Sequence, residues 1–170
     1  MAAKRPPAVE APEHGLVIIR LLNAPRDVVF RAWTDPSRVR QWWGPKDFPA
    51  TDMEMDVRPG GAWRGRLRST EDGRILSHRG VFREVVPPER LAFTFAWDEE
   101  GERGLETLVT VTFVDEGGKT RMTLRQAPFK SEAERDGHVG GWNRAFDRLL
   151  GHLGPRSSQM TSSPKGEVKP

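Results

Sequence analysis

Apolar residues along this chain fall into two rhythms, and the rhythms divide it into elements. Residues 16–22, with Val17, Ile18 and Ile19 at their centre, read as a strand. Asn23-Ala24-Pro25 ends it, and Pro25 opens a helix, where its fixed φ is tolerated. Val28, Val29, Ala32 and Trp33 give that helix an apolar stripe. Thr34-Asp35-Pro36 breaks it, and Asp35 is placed to cap a second short helix running to about Trp42. Gly44-Pro45 stops that one.

A period of two then takes over. In residues 51–57, Met53, Met55 and Val57 alternate with Asp52, Glu54 and Asp56, the pattern of a half-buried strand. Pro59-Gly60-Gly61 turns the chain into residues 62–68, where Trp63, Gly65 and Leu67 alternate with Arg64, Arg66 and Arg68. Glu71-Asp72-Gly73 carries a hairpin signature and leads into a strand at 75–86, whose inward parity the pattern does not settle. After Pro87-Pro88-Glu89, Leu91, Phe93, Phe95 and Trp97 alternate with Ala92, Thr94 and Ala96. A charged loop at 98–104 precedes a strand at 105–114, in which Val109, Val111 and Phe113 share a side. Asp115-Glu116-Gly117-Gly118 turns into a final strand bearing Met122 and Leu124 on one side.

Helical spacing returns from about Ser131 to Leu153, through Val139, Trp142, Phe146, Leu149, Leu150 and Leu153. Ser131 with Glu134 three residues on matches a capping box. Gly140-Gly141 weakens the helix by about 1 kcal/mol per glycine relative to alanine, so the pair suggests a kink, a close helix–sheet contact, or a helix that starts only at Gly140. The order is strand, two short helices, six strands, long helix. Meander-like strands imply an antiparallel sheet with one polar face. The long helix is the element able to cover the other face, and a gap where the short helices meet it is the expected pocket.

Composition sharpens this picture mainly by exclusion. The 170 residues suit one domain with a real core. Residues 1–14 and 154–170 are polar or proline-rich and are expected to be disordered tails around a domain at 15–153. Those tails hold five of the 27 basic and three of the 24 acidic residues, leaving 22 against 21 in the body. No nucleic-acid-binding face is therefore implied. With no cysteine there is no disulfide, thiolate metal site or thiol nucleophile. No apolar run approaches the roughly 20 residues needed to cross a bilayer, and the N-terminus lacks a signal-peptide core, so neither a membrane partner nor secretion is expected and the cytoplasm is the expected compartment.

The densest signal is Gln41-Trp42-Trp43-Gly44-Pro45 followed by Arg58-Pro59-Gly60-Gly61-Ala62-Trp63, which places three of the six tryptophans beside forced turns. With residues 23–36 (NAPRDVVFRAWTDP), 80–91 (GVFREVVPPERL) and Gly141-Trp142, these motifs run in order through the whole body. In that register the chain resembles the homologues of the activator of Hsp90 ATPase, within the START-like, helix-grip superfamily that also holds the birch-pollen-allergen and polyketide-cyclase folds. The resemblance implies an α+β helix-grip fold: a curved seven-stranded antiparallel sheet around a long C-terminal helix, with two short helices after the first strand. The eukaryotic activators carry a further domain ahead of this one. About 15 residues precede the first strand here, so that domain is not expected.

The apolar set facing the helix comprises Met53, Met55, Trp63, Phe93, Phe95, Trp97, Val109, Val111, Met122 and Leu124, with Val139, Trp142 and Phe146 opposite and Trp43 at the mouth. Such a set either fills a core or lines a ligand cavity. The implied helix-grip geometry, the share of Met and Trp, and the absence of Tyr favour a cavity. His78 and His138 are the weak candidates for proton transfer, and a tuned pKa is their diagnostic. His14 and His152 lie at the ends of the body, and four scattered histidines lack metal-ligand spacing, so neither a metal nor another cofactor is expected. Glu54 and Asp56 should face solvent, and Arg64, Arg66 and Arg68 form a basic stripe on a sheet face. The leading expectation is binding of a small hydrophobic or aromatic molecule without catalysis. A cyclase- or hydrolase-type enzyme using the same cavity and a protein-interaction module, with a chaperone or a second copy as partner, are the alternatives.

Overall fold

Strand β1 (Leu16–Leu22) turns Leu16, Ile18 and Leu22 inward and Val17, Ile19 and Leu21 outward, as a pleat of period two requires. The computed structural model describes residues 15–99 and 101–154, the side chain of residue 102 aside. The expected tails lie outside the described residues, except for Gly154, which caps the last helix. Helices α1 (Arg26–Thr34) and α2 (Pro36–Trp42) follow β1. Pro25 is the N-cap of α1 rather than its first helical residue, and the Asp35 carboxylate caps α2 by accepting from the Ser37 N–H at 3.0 Å.

Six more strands follow: β2 (Ala50–Met55), β3 (Ala62–Arg68), β4 (Ile75–Val86), β5 (Arg90–Trp97), β6 (Thr107–Glu116) and β7 (Lys119–Ala127). A 3-10 turn at Gly101–Gly104 interrupts the charged loop after β5. Helix α3 (Glu132–Leu153) closes the chain, with the Ser131 hydroxyl accepting from the Glu134 N–H. It is one continuous element through Gly140-Gly141. All pairings are antiparallel and the sheet order is β1-β7-β6-β5-β4-β3-β2. β1 and β2 therefore lie at opposite edges, and α1 and α2 bridge them. This is the α+β helix-grip arrangement that the sequence motifs imply.

The parity of β4 is set by a bulge. His78 and Phe82 face inward, the register shifts between Phe82 and Glu84, and Val85 takes over the inner side. β5 is buried on both faces: Leu91, Phe93 and Phe95 point into the core, and Ala92, Thr94 and Ala96 are covered too. Their small side chains sit between longer ones on the flanking strands, with Glu84 beside Ala92, Arg79 beside Ala96 and Leu108 beside Thr94. The core centres on Trp33, whose ring meets Trp42, Trp43, Phe93, Phe113, Trp142 and Phe146 at centroid distances from 4.9 to 6.4 Å. On the opposite sheet face Arg64 pairs with Glu54 at 3.0 Å and Arg66 with Asp52 at 3.5 Å. Two members of the arginine stripe are thus neutralised by the neighbouring strand.

Candidate functional site

Between the inner face of the sheet and the N-terminal half of α3 lies a cavity of about 420 Å³. Three segments build it. The chain leaving α2 supplies Trp43, Gly44, Pro45 and Phe48; strands β3 to β5 supply Leu67, Leu76, His78, Phe95 and Trp97; α3 supplies a wall from Ala133 to Ala145. Arg148, one turn further along α3, fastens the first segment to the helix. Its guanidinium donates to the carbonyls of Gln41, Trp43 and Gly44 at 2.9, 3.0 and 2.8 Å, which satisfies the open end of α2.

The structure separates the predicted site residues into two groups. Trp43, Phe95, Trp97 and Trp142 stand on the cavity wall. Met53, Met55, Trp63, Phe93, Val109, Val111, Met122, Leu124, Val139 and Phe146 do not; they belong to, or pack against, the hydrophobic core. The alternation points them inward correctly, but inward faces of a packed sheet are mostly filled. Leu67, Leu76, Phe48 and the small residues of α3 line the cavity, although the sequence reading does not single them out. A signal for the last of these is present in the sequence. Ala133, Gly137, Gly141 and Ala145 recur every four residues, one row on a helix face. No close helix–sheet contact explains the glycines, because a Cβ placed on Gly137 or Gly141 would meet nothing within 4 Å.

The indole N–H groups of the wall are all bonded within the protein. The Trp43 indole donates to His78 Nε2 at 2.7 Å, and Trp97 donates to His138 Nε2 at 3.1 Å. Trp142 donates to Gln126 Oε1 at 2.7 Å; Gln126 Nε2 donates to Thr107 Oγ1 at 2.8 Å, and that hydroxyl donates to the Phe95 carbonyl. Each lining indole N–H thus finishes on a protein acceptor, so what these rings can offer an occupant is apolar surface. His78 lies nearly coplanar with Trp43, hydrogen-bonded edge to edge with 6.0 Å between ring centroids, and lies 5.2 Å from both Phe95 and Trp97. Gly65 makes room for it, since a Cβ there would stand 3.1 Å from His78 Cε1.

Because an indole can only donate, both histidines are held as neutral acceptors at Nε2. Burial pushes His78 down to about 3, with the Gly65 backbone opposing and His138 adding to the shift. Burial likewise pushes His138 down to about 4, helped by the Arg103 charge. His78 Nδ1 is buried and makes no hydrogen bond. Glu134 lies 3.7 Å from His138 Nε2. Among the described residues, no three metal-ligating side chains come together. His14 lies outside them, and His152 sits at the far end of α3, away from the cavity wall.

These depressed values make stability depend on pH in one direction. The unfolded chain takes up protons near the ordinary value of 6.5, whereas the folded chain refuses them until about 4 at His138 and about 3 at His78. Stability contributed by these groups is complete above 6.5 and is lost as pH falls through that window, by about 1.4 kcal/mol per pH unit for each histidine. Urea midpoints at about pH 7 and about pH 5 check this. The expected result is a clear fall at the lower pH, with the slope roughly halved in His138→Gln; equal midpoints would contradict it.

The sequence model of the family described as activator of Hsp90 ATPase homolog 1-like protein matches residues 23–154. No curated protein matches the chain. Solved structures do. One from Rhizobium leguminosarum is 31% identical, covers 82% of this chain and 93% of that chain, and has a TM-score of 0.66. One from Chromobacterium violaceum is 25% identical, with coverage of 81% and 96% and a TM-score of 0.75. The AHSA1 protein of Silicibacter pomeroyi, 23% identical over 84% and 99% of the two chains with a TM-score of 0.72, shares the fold. The chain belongs to the activator of Hsp90 ATPase homolog 1-like family, with its helix-grip architecture.

Proposed function

We propose that this protein binds a small hydrophobic or aromatic molecule in the cavity between the sheet and α3, and catalyses no reaction on it. The observation that carries this reading is the wall itself: Trp43, Trp97 and Trp142 border about 420 Å³ of space while their N–H groups are bound to protein acceptors. A space of that size and lining falls within the range of small-molecule sites. The same geometry argues against an enzyme that uses these histidines. A general base needs a free lone pair and a pKa near the working pH, and Nε2 of both His78 and His138 already accepts an indole N–H.

A second reading, a module that docks a chaperone or a second copy, is favoured by one feature. Val17, Ile19 and Leu21 form an exposed apolar row on the edge strand β1. No helix among the described residues is long and apolar enough to cross a membrane.

N-phenyl-1-naphthylamine, an uncharged aromatic probe, tests the leading reading by thermal unfolding. At about 100 times its Kd, a ligand that binds only the folded state adds about 2.7 kcal/mol. The melting temperature should then rise by roughly 5–10 °C. No rise at any soluble concentration would overturn small-molecule binding in this cavity.

A further inference from the structure

The cavity is apolar within but not neutral along its length. Three charged side chains line it: Arg103, Glu134 and Arg144. Arg103 is already engaged, with Glu99 at 2.9 Å and the Trp97 ring 4.8 Å from its guanidinium carbon. Glu134 stands beside His138, ten residues before Arg144 on α3 and so about 15 Å from it along the axis. Arg144 has no hydrogen bond or ion pair among the described residues; its guanidinium lies back over Gly140, with Nη1 3.6 Å from where a Cβ would be. One turn on, Arg148 spends its hydrogen bonds on carbonyls and meets no carboxylate among the described residues. The end of the cavity near Arg144 therefore carries one guanidinium without a carboxylate partner among the described residues, with Arg148, outside the wall, bonded to carbonyls, while the acidic lining group, Glu134, is at the other end. Both histidines are neutral and add no positive charge of their own to the wall.

Resting on the binding reading above, we propose that the occupant is an aromatic molecule with one anionic group, its rings among Trp43, Trp97 and Trp142 and its charge at Arg144. Burial of rings against the indoles supplies the bulk of such binding, and the guanidinium selects which aromatic molecules are kept. The ion pair forms at a solvent-facing rim, so it contributes selectivity rather than most of the affinity.

Two probes with the same aromatic skeleton separate these contributions: N-phenyl-1-naphthylamine, which is neutral, and 1-anilinonaphthalene-8-sulfonate, which is anionic. Fluorescence titration gives the ratio of their dissociation constants. The wild type should favour the sulfonate, and Arg144→Ala should shrink that preference by about fivefold, with Arg144→Lys retaining part of it. Added salt should erode the sulfonate's advantage in the wild type and much less in Arg144→Ala. Uptake of both probes with the same ratio in wild type and Arg144→Ala would overturn the anionic ligand and leave the cavity's binding role standing. Uptake of neither would overturn the binding role, and this inference with it.

Discussion

Gly80→Ala is expected to destabilise the fold by about 3 kcal/mol or more, at or above the upper end of the usual cost of overpacking a core. Gly80 on β4 lies opposite Trp63 on β3. The indole crosses over the glycine and donates to the Thr94 carbonyl on β5 at 3.0 Å. A Cβ at position 80 would stand 1.7 Å from that carbonyl oxygen and 2.4 Å from the indole nitrogen. Neither neighbour can retreat cheaply. Thr94 is buried in the central strand, and its hydroxyl accepts from the Val81 N–H at 2.8 Å. Moving Trp63 would strand a buried N–H and disturb the rings of His78, Phe93 and Phe95 around it. Propensity points the other way, because alanine is favoured over glycine in a strand by roughly 0.5–1 kcal/mol. The clash decides the sign. Urea unfolding of the variant measures it, and a midpoint equal to or above that of the wild type would contradict the packing described.

Gly141→Leu is expected to do the reverse: keep or raise stability while closing the cavity. Gly141 is interior to α3 and borders the cavity, and a Cβ added there would have nothing within 4 Å. Leucine improves helix propensity there by up to about 1 kcal/mol. Its side chain would take up space at the cavity that Trp43 and Trp142 also line. Affinity for N-phenyl-1-naphthylamine should fall at least about tenfold, with the circular dichroism spectrum retained. This split between stability and binding distinguishes a cavity kept open from one that is merely badly packed. A variant that takes up the probe as well as the wild type would place the binding elsewhere.

Much of the fold is legible in the sequence because local signals agree with one another. The period of two in β2 and β3, the Asp35 and Ser131 caps, and the glycine-rich turns each specify one structure. β4 is legible as a strand at Ile75–Val86 but its inward face is not, because a bulge changes its parity between Phe82 and Glu84 and no alternation survives that change. The site is only partly legible for a related reason. Periodicity says that Met53, Phe93 or Met122 faces inward, yet it cannot say whether an inward residue meets another side chain or a void. Contact does that: Met122 is fully buried in the core, whereas Trp97 is half-buried at the cavity. The more informative marks are absences of side chain. Gly65 and Gly80 make dents for His78 and Trp63, and the row Ala133, Gly137, Gly141 and Ala145 leaves the helix face bare. Gly140-Gly141 stands out in the sequence, but a weakness in a helix and a wall of a cavity look the same there.

The most direct test of the binding account is energy transfer from the protein's tryptophans to bound N-phenyl-1-naphthylamine, measured side by side in the wild type and Gly141→Leu. Trp43, Trp97 and Trp142 border the space, so a probe inside it is within a few ångströms of three donors. The account predicts that wild-type tryptophan emission falls as probe emission rises, saturating at a single probe per chain, and that folded Gly141→Leu needs at least about ten times more probe for the same change. Equal titrations in the two proteins, or no transfer in the wild type, would contradict it.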